Sequence, residues 1–242
     1  MSKSSKLLEA TLREIAPDGK IAIAFSGGVD STILLEVARK AGFDILPLTF
    51  DLKKSLEIEE VLNNDRNRCY FCKSLMMKTL KKEAESRGYS VLIDGTNADD
   101  LKEYRPGLRA LEENGVLSPI AMSGITKKEL RKIGRELHLP IAYKASSPCG
   151  LTRFPYGTHV TPEMLDAVES AENYLKELGY EFCRVRVYGK EAKVEVELGL
   201  IELPEIDLSH IGKILKPIGV KTVTIDPKGF RSGTMDEGEN NG

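Results

Sequence analysis

The chain has 242 residues, 41% hydrophobic and 30% charged, which suits a globular protein with room for one large domain or two small ones. Thirty-five basic residues against thirty-seven acidic ones give a net charge of −2. That leaves no excess to pull on a polyanion and counts against nucleic acid as the main ligand. No apolar run reaches the roughly 20 residues that cross a bilayer. The first twenty residues carry helix periodicity through Leu7, Leu8, Leu12 and Ile15 instead of the unbroken apolar stretch of a secretory signal. The expectation is a cytoplasmic protein with no membrane partner, whose four cysteines stay reduced.

After the first helix, Lys20 to Phe25 reads as a short buried strand, followed by a glycine turn and helix spacing from Thr32 to Ala38. Phe43 to Phe50 reads as a second strand, Lys73 to Arg87 as a helix and Ser90 to Asp94 as a third strand. A further helix starts near Lys127, with Thr126 as its N-cap. Strands that alternate with helices predict a parallel sheet covered on both faces. Lys144 to Thr158 is rich in Pro, Gly and Ser and reads as a functional loop. Beyond it, Thr161 to Leu178 has the marks of a strong helix: Thr161 as N-cap, Pro162 in the first turn and Gly179 at the end. Phe182 to Tyr188 and Lys193 to Leu198 alternate like strands around a turn at Gly189-Lys190. A helix over about Glu205 to Lys216 and a strand over Lys221 to Ile225 follow. The predicted organisation is an α/β domain over residues 1–158, a small α+β domain over 159–235 and a disordered tail over 236–242.

The hexapeptide Ser26-Gly27-Gly28-Val29-Asp30-Ser31 joins the first strand to the next helix. Two glycines let the backbone bend sharply and approach a ligand closely. The helix that follows offers unpaired N–H groups and the positive end of its dipole, which suit a phosphate. Ser26 and Ser31 add hydroxyls. Asp30 would repel a bare phosphate, so its task is to hold Mg2+ or to shape the loop. The hexapeptide resembles the signature of the PP-loop ATP pyrophosphatases, and no Gly-Lys-Ser/Thr follows to make it a Walker A loop. The resemblance implies an adenine nucleotide alpha hydrolase-like domain that cleaves ATP between its α and β phosphates and leaves AMP on a substrate oxygen.

Cys69 and Cys72 form a CxxC at the start of a helix, Cys149 lies in Ser147-Pro148-Cys149-Gly150, and Cys183 sits inside an alternating strand. A CxxC suits a redox pair, half of a zinc site or part of an iron–sulfur site. Zinc would need a further ligand, and His138, His159 and His210 are the only histidines. Three cysteines on a [4Fe–4S] cluster leave one iron open to carry a sulfide. Cys183 reads as a core thiol.

Longer stretches are similar to one family, the LarE ATP-dependent sulfur transferases that make the thiocarboxylates of the nickel-pincer nucleotide. They are Asp94-Gly95-Thr96-Asn97-Ala98-Asp99-Asp100, Tyr104-Arg105-Pro106-Gly107, Arg153-Phe154-Pro155-Tyr156-Gly157-Thr158, Arg184-Val185-Arg186-Val187 and Gly229-Phe230-Arg231-Ser232-Gly233. The family has two forms. In one, a single cysteine at the position of Cys149 gives up its sulfur and becomes dehydroalanine. The other carries three cysteines and a cluster, and this chain resembles the second through Cys69, Cys72 and Cys149. The resemblance implies catalytic roles for Cys149 and Asp30. It implies ATP contacts from Ser26, Gly27, Gly28, Val29, Asp30, Ser31, Asp99 and Arg105. It assigns the substrate's phosphate and carboxylates to Arg153, Arg184, Arg186, Arg231 and Glu172. Guanidinium forks bind such oxyanions bidentately. Asp99, Asp100 and Arg105 would look the same in a capped loop, Arg184, Arg186 and Arg231 on a solvated strand face, and Glu172 on a solvated helix.

The implied cofactors are ATP, Mg2+ and a [4Fe–4S] cluster, and the implied partners are a small nucleotide substrate, sulfide or a sulfur donor, and further copies of the chain. One departure is that Asp51 to Asn67 is short for the family, which usually has another helix and strand there near the adenine. Cluster-dependent tRNA thiolases, amidating synthetases and an adenine-nucleotide sensor with structural zinc share parts of this pattern.

Overall fold

A computed structural model describes residues 2–102, 106–144, 148–197 and 205–230. The chain divides into two units. The first holds residues 1–61 and 67–147, and the second holds 62–66 and 148–242. The break near the cysteine loop thus falls at 147/148, whereas the sequence reading puts it at 158. The five-residue excursion at 62–66 has no counterpart in that reading. Arg105, Arg231 and the 236–242 tail lie outside the described residues.

In the first unit, helix α1 spans Lys3–Ile15, strand β1 Lys20–Ala24, helix α2 Val29–Lys40 and strand β2 Asp44–Leu48. A 3-10 turn over Leu52–Glu57 and the single-turn helix α3, Glu59–Leu62, fill the short segment before helix α4, Arg68–Ser86. Strand β3 is Leu92–Ile93, and helices α5 (Pro106–Glu113), α6 (Pro119–Met122) and α7 (Lys127–Glu136) follow. The strands run in the order β2-β1-β3 and all pair in parallel, with Ala22 opposite both Leu46 and Leu92.

The alternation in β1 sorts the core. Ile21 and Ile23 belong to a cluster with Leu8, Leu12, Ile33 and Leu130, from α1, α2 and α7. Ala22 points the other way, into a cluster with Met77, Leu80 and Leu111 from α4 and α5. Burial on both faces is why β1 reads as an almost unbroken apolar run. The fold class is therefore α/β with a parallel sheet, as the alternation of elements predicts. Thr126 caps α7 as its sequence predicts, in a full capping box with Glu129.

The second unit holds helix α8, Pro162–Glu177, strands β4 (Cys183–Tyr188) and β5 (Glu191–Val196), helix α9 (Leu208–Leu215) and strand β6 (Thr222–Ile225). Thr161 caps α8 through Met164, and Pro162 fills its first turn. β4 and β5 form a hairpin on Gly189, whose φ of 61° favours glycine. Pairing begins directly after that tight turn, so β5 starts two residues earlier than its alternation suggests. β6 adds in parallel to β5. None of the described helices is long and apolar enough to cross a membrane.

Candidate functional site

The glycine loop leaves β1 at its C-terminal end, the edge where open parallel sheets bind ligands. Gly27 has φ 69°, a left-handed conformation that a side chain would strain. Gly28 is the N-cap of α2, and its carbonyl accepts from Ser31 Oγ at 3.3 Å and Thr32 Oγ1 at 2.8 Å. Ser26 Oγ lies 3.1 Å from Ser31 Oγ and accepts from Gly28 N at 3.3 Å. Ser26, Gly27 and Gly28 are exposed, while Val29 and Ser31 are buried. The first-turn N–H groups of α2 have no partners within the helix. Backbone and hydroxyl donors at a helix N-terminus suit an anion.

Asp30 stands in this loop with an unequal carboxylate. Oδ2 accepts from Lys127 Nζ at 2.6 Å and from Asn97 Nδ2 at 3.2 Å. Oδ1 is buried and has no hydrogen-bond partner. An orphaned carboxylate oxygen beside such donors fits the demand of a hard cation, so Asp30 suits Mg2+. Lys127 escapes the sequence reading, which uses it only to mark a helix start. Its place beside Thr126 puts a lysine at the first position of a capped helix, and that is the only signal it gives.

Asp99 is hydrogen-bonded to the start of α7 and to Lys102. Its Oδ2 accepts from Lys127 N at 2.9 Å, and its Oδ1 accepts from Lys102 Nζ at 3.0 Å. The Lys127 N–H, followed by Lys102, holds its pKa below the usual carboxylate value. Asp99 caps a helix, the alternative its sequence left open, and Asp100 caps the turn through Asn97 N at 3.0 Å.

Asp94, at the end of β3, is buried and accepts from Ser118 Oγ at 2.6 Å, Thr96 Oγ1 at 2.7 Å and Lys73 Nζ at 3.2 Å. Lys73 follows Cys72 directly, so the pair ties the CxxC helix to the sheet. The next residue, Gly95, abuts the glycine loop: a Cβ there would lie 3.0 Å from Ser31 N.

Cys69 and Cys72 are one turn apart on α4, the first exposed and the second half-buried. Cys149 is exposed and precedes a 3-10 turn over Gly150–Arg153 in the second unit. None of the four cysteines is in a disulfide. Cys183 is buried, and burial, with the Glu172 charge second, pushes its thiol up to about 11. It is a core thiol, as its strand position suggests. The donor chemistry of the other three fits a thiolate-bound metal centre. Among the described residues, no three His, Cys, Asp or Glu are grouped to hold a metal ion.

Three arginines of the second unit, Arg153, Arg184 and Arg186, are buried, as are Glu172 and Glu195. Arg153 binds Glu172 through two bonds, Nε–Oε1 at 2.6 Å and Nη2–Oε2 at 3.1 Å. Glu172 Oε1 also accepts from Val185 N at 3.0 Å. Arg186 donates to Glu195 Oε1 at 2.6 Å and to the Thr152 carbonyl at 2.8 Å. Arg184 lies over the Phe230 ring at 4.5 Å. Burial, then repulsion from Arg153 and Arg186, lowers the Arg184 pKa from its ordinary value. The solvated strand and the solvated helix residue that the sequence allows are both overturned: Arg184, Arg186 and Glu172 are all under one-tenth exposed. Arg186 uses its Nε and Nη1 on protein acceptors.

No protein-family model matches the chain. An uncharacterized protein of Synechocystis is 36% identical to it over 88% of this chain and 91% of that protein. One of Methanocaldococcus jannaschii is 34% identical over 93% of this chain and 96% of its own length. The pyridinium-3,5-bisthiocarboxylic acid mononucleotide synthase of Lactiplantibacillus plantarum is 28% identical over 95% and 92%. The chain therefore belongs to one family with the Synechocystis and Methanocaldococcus proteins, and it is also similar along most of its length to the Lactiplantibacillus synthase.

Proposed function

We propose that this protein is a PP-loop, ATP-dependent sulfur transferase of the LarE type, acting on pyridinium-3,5-biscarboxylic acid mononucleotide. The observation that carries the proposal is the glycine loop Ser26–Ser31 with the orphaned Asp30 oxygen within it, in a chain homologous to the Lactiplantibacillus synthase. A substrate carboxylate oxygen attacks the α phosphate of ATP, and the bond to pyrophosphate breaks. Sulfur then attacks the acyl carbon, and AMP leaves with the former carboxylate oxygen. Asp30 would hold Mg2+ against the phosphates, and Lys127 would add a positive charge beside it. Arg153, Arg184 and Arg186 would supply guanidinium donors to the substrate's phosphate and carboxylates, with Glu172 as their buried acidic neighbour. Arg231 belongs to this proposal on its resemblance alone, as does Arg105 for ATP.

Cys69, Cys72 and Cys149 would hold a [4Fe–4S] cluster, which supplies an open iron for an external sulfide when bound. A CxxC pair on an exposed helix turn has no task in a protein that sacrifices a single cysteine. The sacrificial form is the second reading, favoured by the lack of a three-ligand group among the described residues and by the exposure of Cys149. Turnover by anaerobic, iron-replete protein with added sulfide, followed by mass spectrometry of the Cys149 peptide, separates the two. An intact cysteine after several turnovers supports the cluster. Dehydroalanine formed in step with product, with Cys69→Ala and Cys72→Ala still active, overturns it.

A further inference from the structure

Asn97 lies in the loop that follows β3 and is 1% exposed. Its side-chain amide is in use at both ends. Oδ1 accepts from Asp99 N at 3.0 Å and from Asp100 N at 3.4 Å, which closes a tight turn over 97–100. Nδ2 points out of that turn and donates to Asp30 Oδ2 at 3.2 Å, 67 positions earlier in the chain. The amide can stand only this way round. Turning it over would aim its oxygen at a carboxylate and its NH2 at two N–H groups.

The same turn is joined to Lys127. Asp99, whose N–H is held by Asn97, accepts from Lys127 N through Oδ2 at 2.9 Å, and Lys127 Nζ donates to Asp30 Oδ2 at 2.6 Å. Asn97, Asp99, Lys127 and Asp30 therefore form a closed ring of hydrogen bonds inside the first unit. The ring delivers two donors to one oxygen of Asp30, while Oδ1 is buried and has none. A carboxylate left to itself would turn until its two oxygens shared the donors. Lys127 does not enforce the uneven arrangement, because its ammonium ends a flexible stem and its side chain is 34% exposed. Asn97 does: its side chain is short and buried, and its own oxygen is tied down by the turn. A buried oxygen without a partner is unfavourable in the empty protein and becomes useful once a ligand meets it.

We infer that Asn97 is a positioning residue for Asp30, fixing which carboxylate oxygen the protein engages and which is left for the ATP complex. The inference rests on the reading of the glycine loop as an ATP site. Its test is calorimetric titration of the full-length protein with ATP in excess Mg2+, on wild type, Asn97→Ser, Asp30→Ala and the double variant. Serine keeps an acceptor for the turn but is too short to reach Asp30. Asn97→Ser should weaken ATP binding about tenfold in the wild-type background, the usual scale for losing a hydrogen bond to a charged group. When Asp30 is already alanine, the same substitution should change the affinity less than about twofold. A residue that only holds the loop together would weaken binding by one factor in both backgrounds, and that result overturns the inference. So does a wild-type affinity in Asn97→Ser. Should Asn97→Ser fail to fold, Asn97→Asp keeps both turn bonds and removes the donor, and the same comparison applies to it. Should Asp30→Ala bind too weakly to measure, Lys127→Met is the second background. There Asn97 is the remaining donor to Oδ2 among the described residues, so its loss should weigh more than in wild type, and an equal loss contradicts the inference. A wild-type protein that takes up no ATP overturns the ATP reading, and the inference with it.

Discussion

Lys127 Nζ lies 2.6 Å from Asp30 Oδ2, which brings a lysine from the start of α7 onto the glycine loop 97 positions earlier in the chain. The pair is partly exposed, at 34% and 18% of its side-chain surface. Screening by solvent limits its contribution to stability to about 0–1 kcal/mol. Asp30→Ala should therefore melt within a few degrees of wild type while losing Mg2+-dependent formation of AMP. Retained AMP formation in the variant would remove Asp30 from the reaction.

Gly95 concerns the same loop from the other side. Its missing Cβ would meet Ser31 N at 3.0 Å and the Asp30 carbonyl carbon at 3.3 Å, backbone atoms that cannot swing aside. Gly95→Ala should push the loop out of shape and weaken ATP binding by about 1–3 kcal/mol, the usual scale of overpacking. Calorimetric titration with ATP checks this, and an unchanged affinity would show that the loop adapts.

The buried arginines divide into a structural and a binding part. Glu172→Ala leaves the buried Arg153 and the Val185 N–H without their acceptor, so it should cost about 3–5 kcal/mol of stability by chemical denaturation. Arg184 rests on an aromatic ring, and Arg184→Ala should instead weaken substrate binding by ~1.5–3 kcal/mol with ATP affinity kept. An equal loss of ATP affinity would reassign Arg184 to the nucleotide site.

Cys183 offers a prediction in pH. Its thiol ionises near 9.0 in the unfolded chain and at about 11 in the folded one, so the folded state holds the proton more tightly. The stabilisation is complete below pH 9 and disappears as pH rises through about 11, a loss of up to roughly 2–3 kcal/mol. Cys183→Ala should flatten the fall in denaturation midpoint across that window. In native protein, iodoacetamide should label Cys69 and Cys149 long before Cys183.

Much of this was legible from sequence where one local signal sufficed. The strand–glycine–helix pattern of residues 20–38 locates the glycine loop, and Thr126 and Thr161 announce their helices by cap chemistry. The strands around Gly189 follow from alternation and a turn that demands a left-handed residue. What stayed hidden depends on distant residues converging. Lys127 gains meaning only when the sheet brings it to Asp30. Glu172, in sequence either a substrate-site acid or a solvated helix residue, shows its partners only when Arg153 and Val185 N close on it. Asn64 lies in a polar run, Asn63-Asn64-Asp65, that carries no periodicity, and only its bonds to the Leu151, Phe154 and Pro155 carbonyls, about ninety positions on, show why it is buried. Local pattern reports burial period and turns, whereas pairing of charges across long separations is written in no single window.

The central claim is adenylation followed by exchange of oxygen for sulfur on a pyridinium dicarboxylate nucleotide. Its most direct measurement is a single anaerobic reaction of the iron-replete protein with ATP, Mg2+, sulfide and that nucleotide, with products resolved by mass spectrometry. The account predicts AMP and pyrophosphate in equal amounts, one of each for every thiocarboxylate formed, and none when the dicarboxylate is left out. Release of ADP, or AMP formed without any thiocarboxylate, would contradict it.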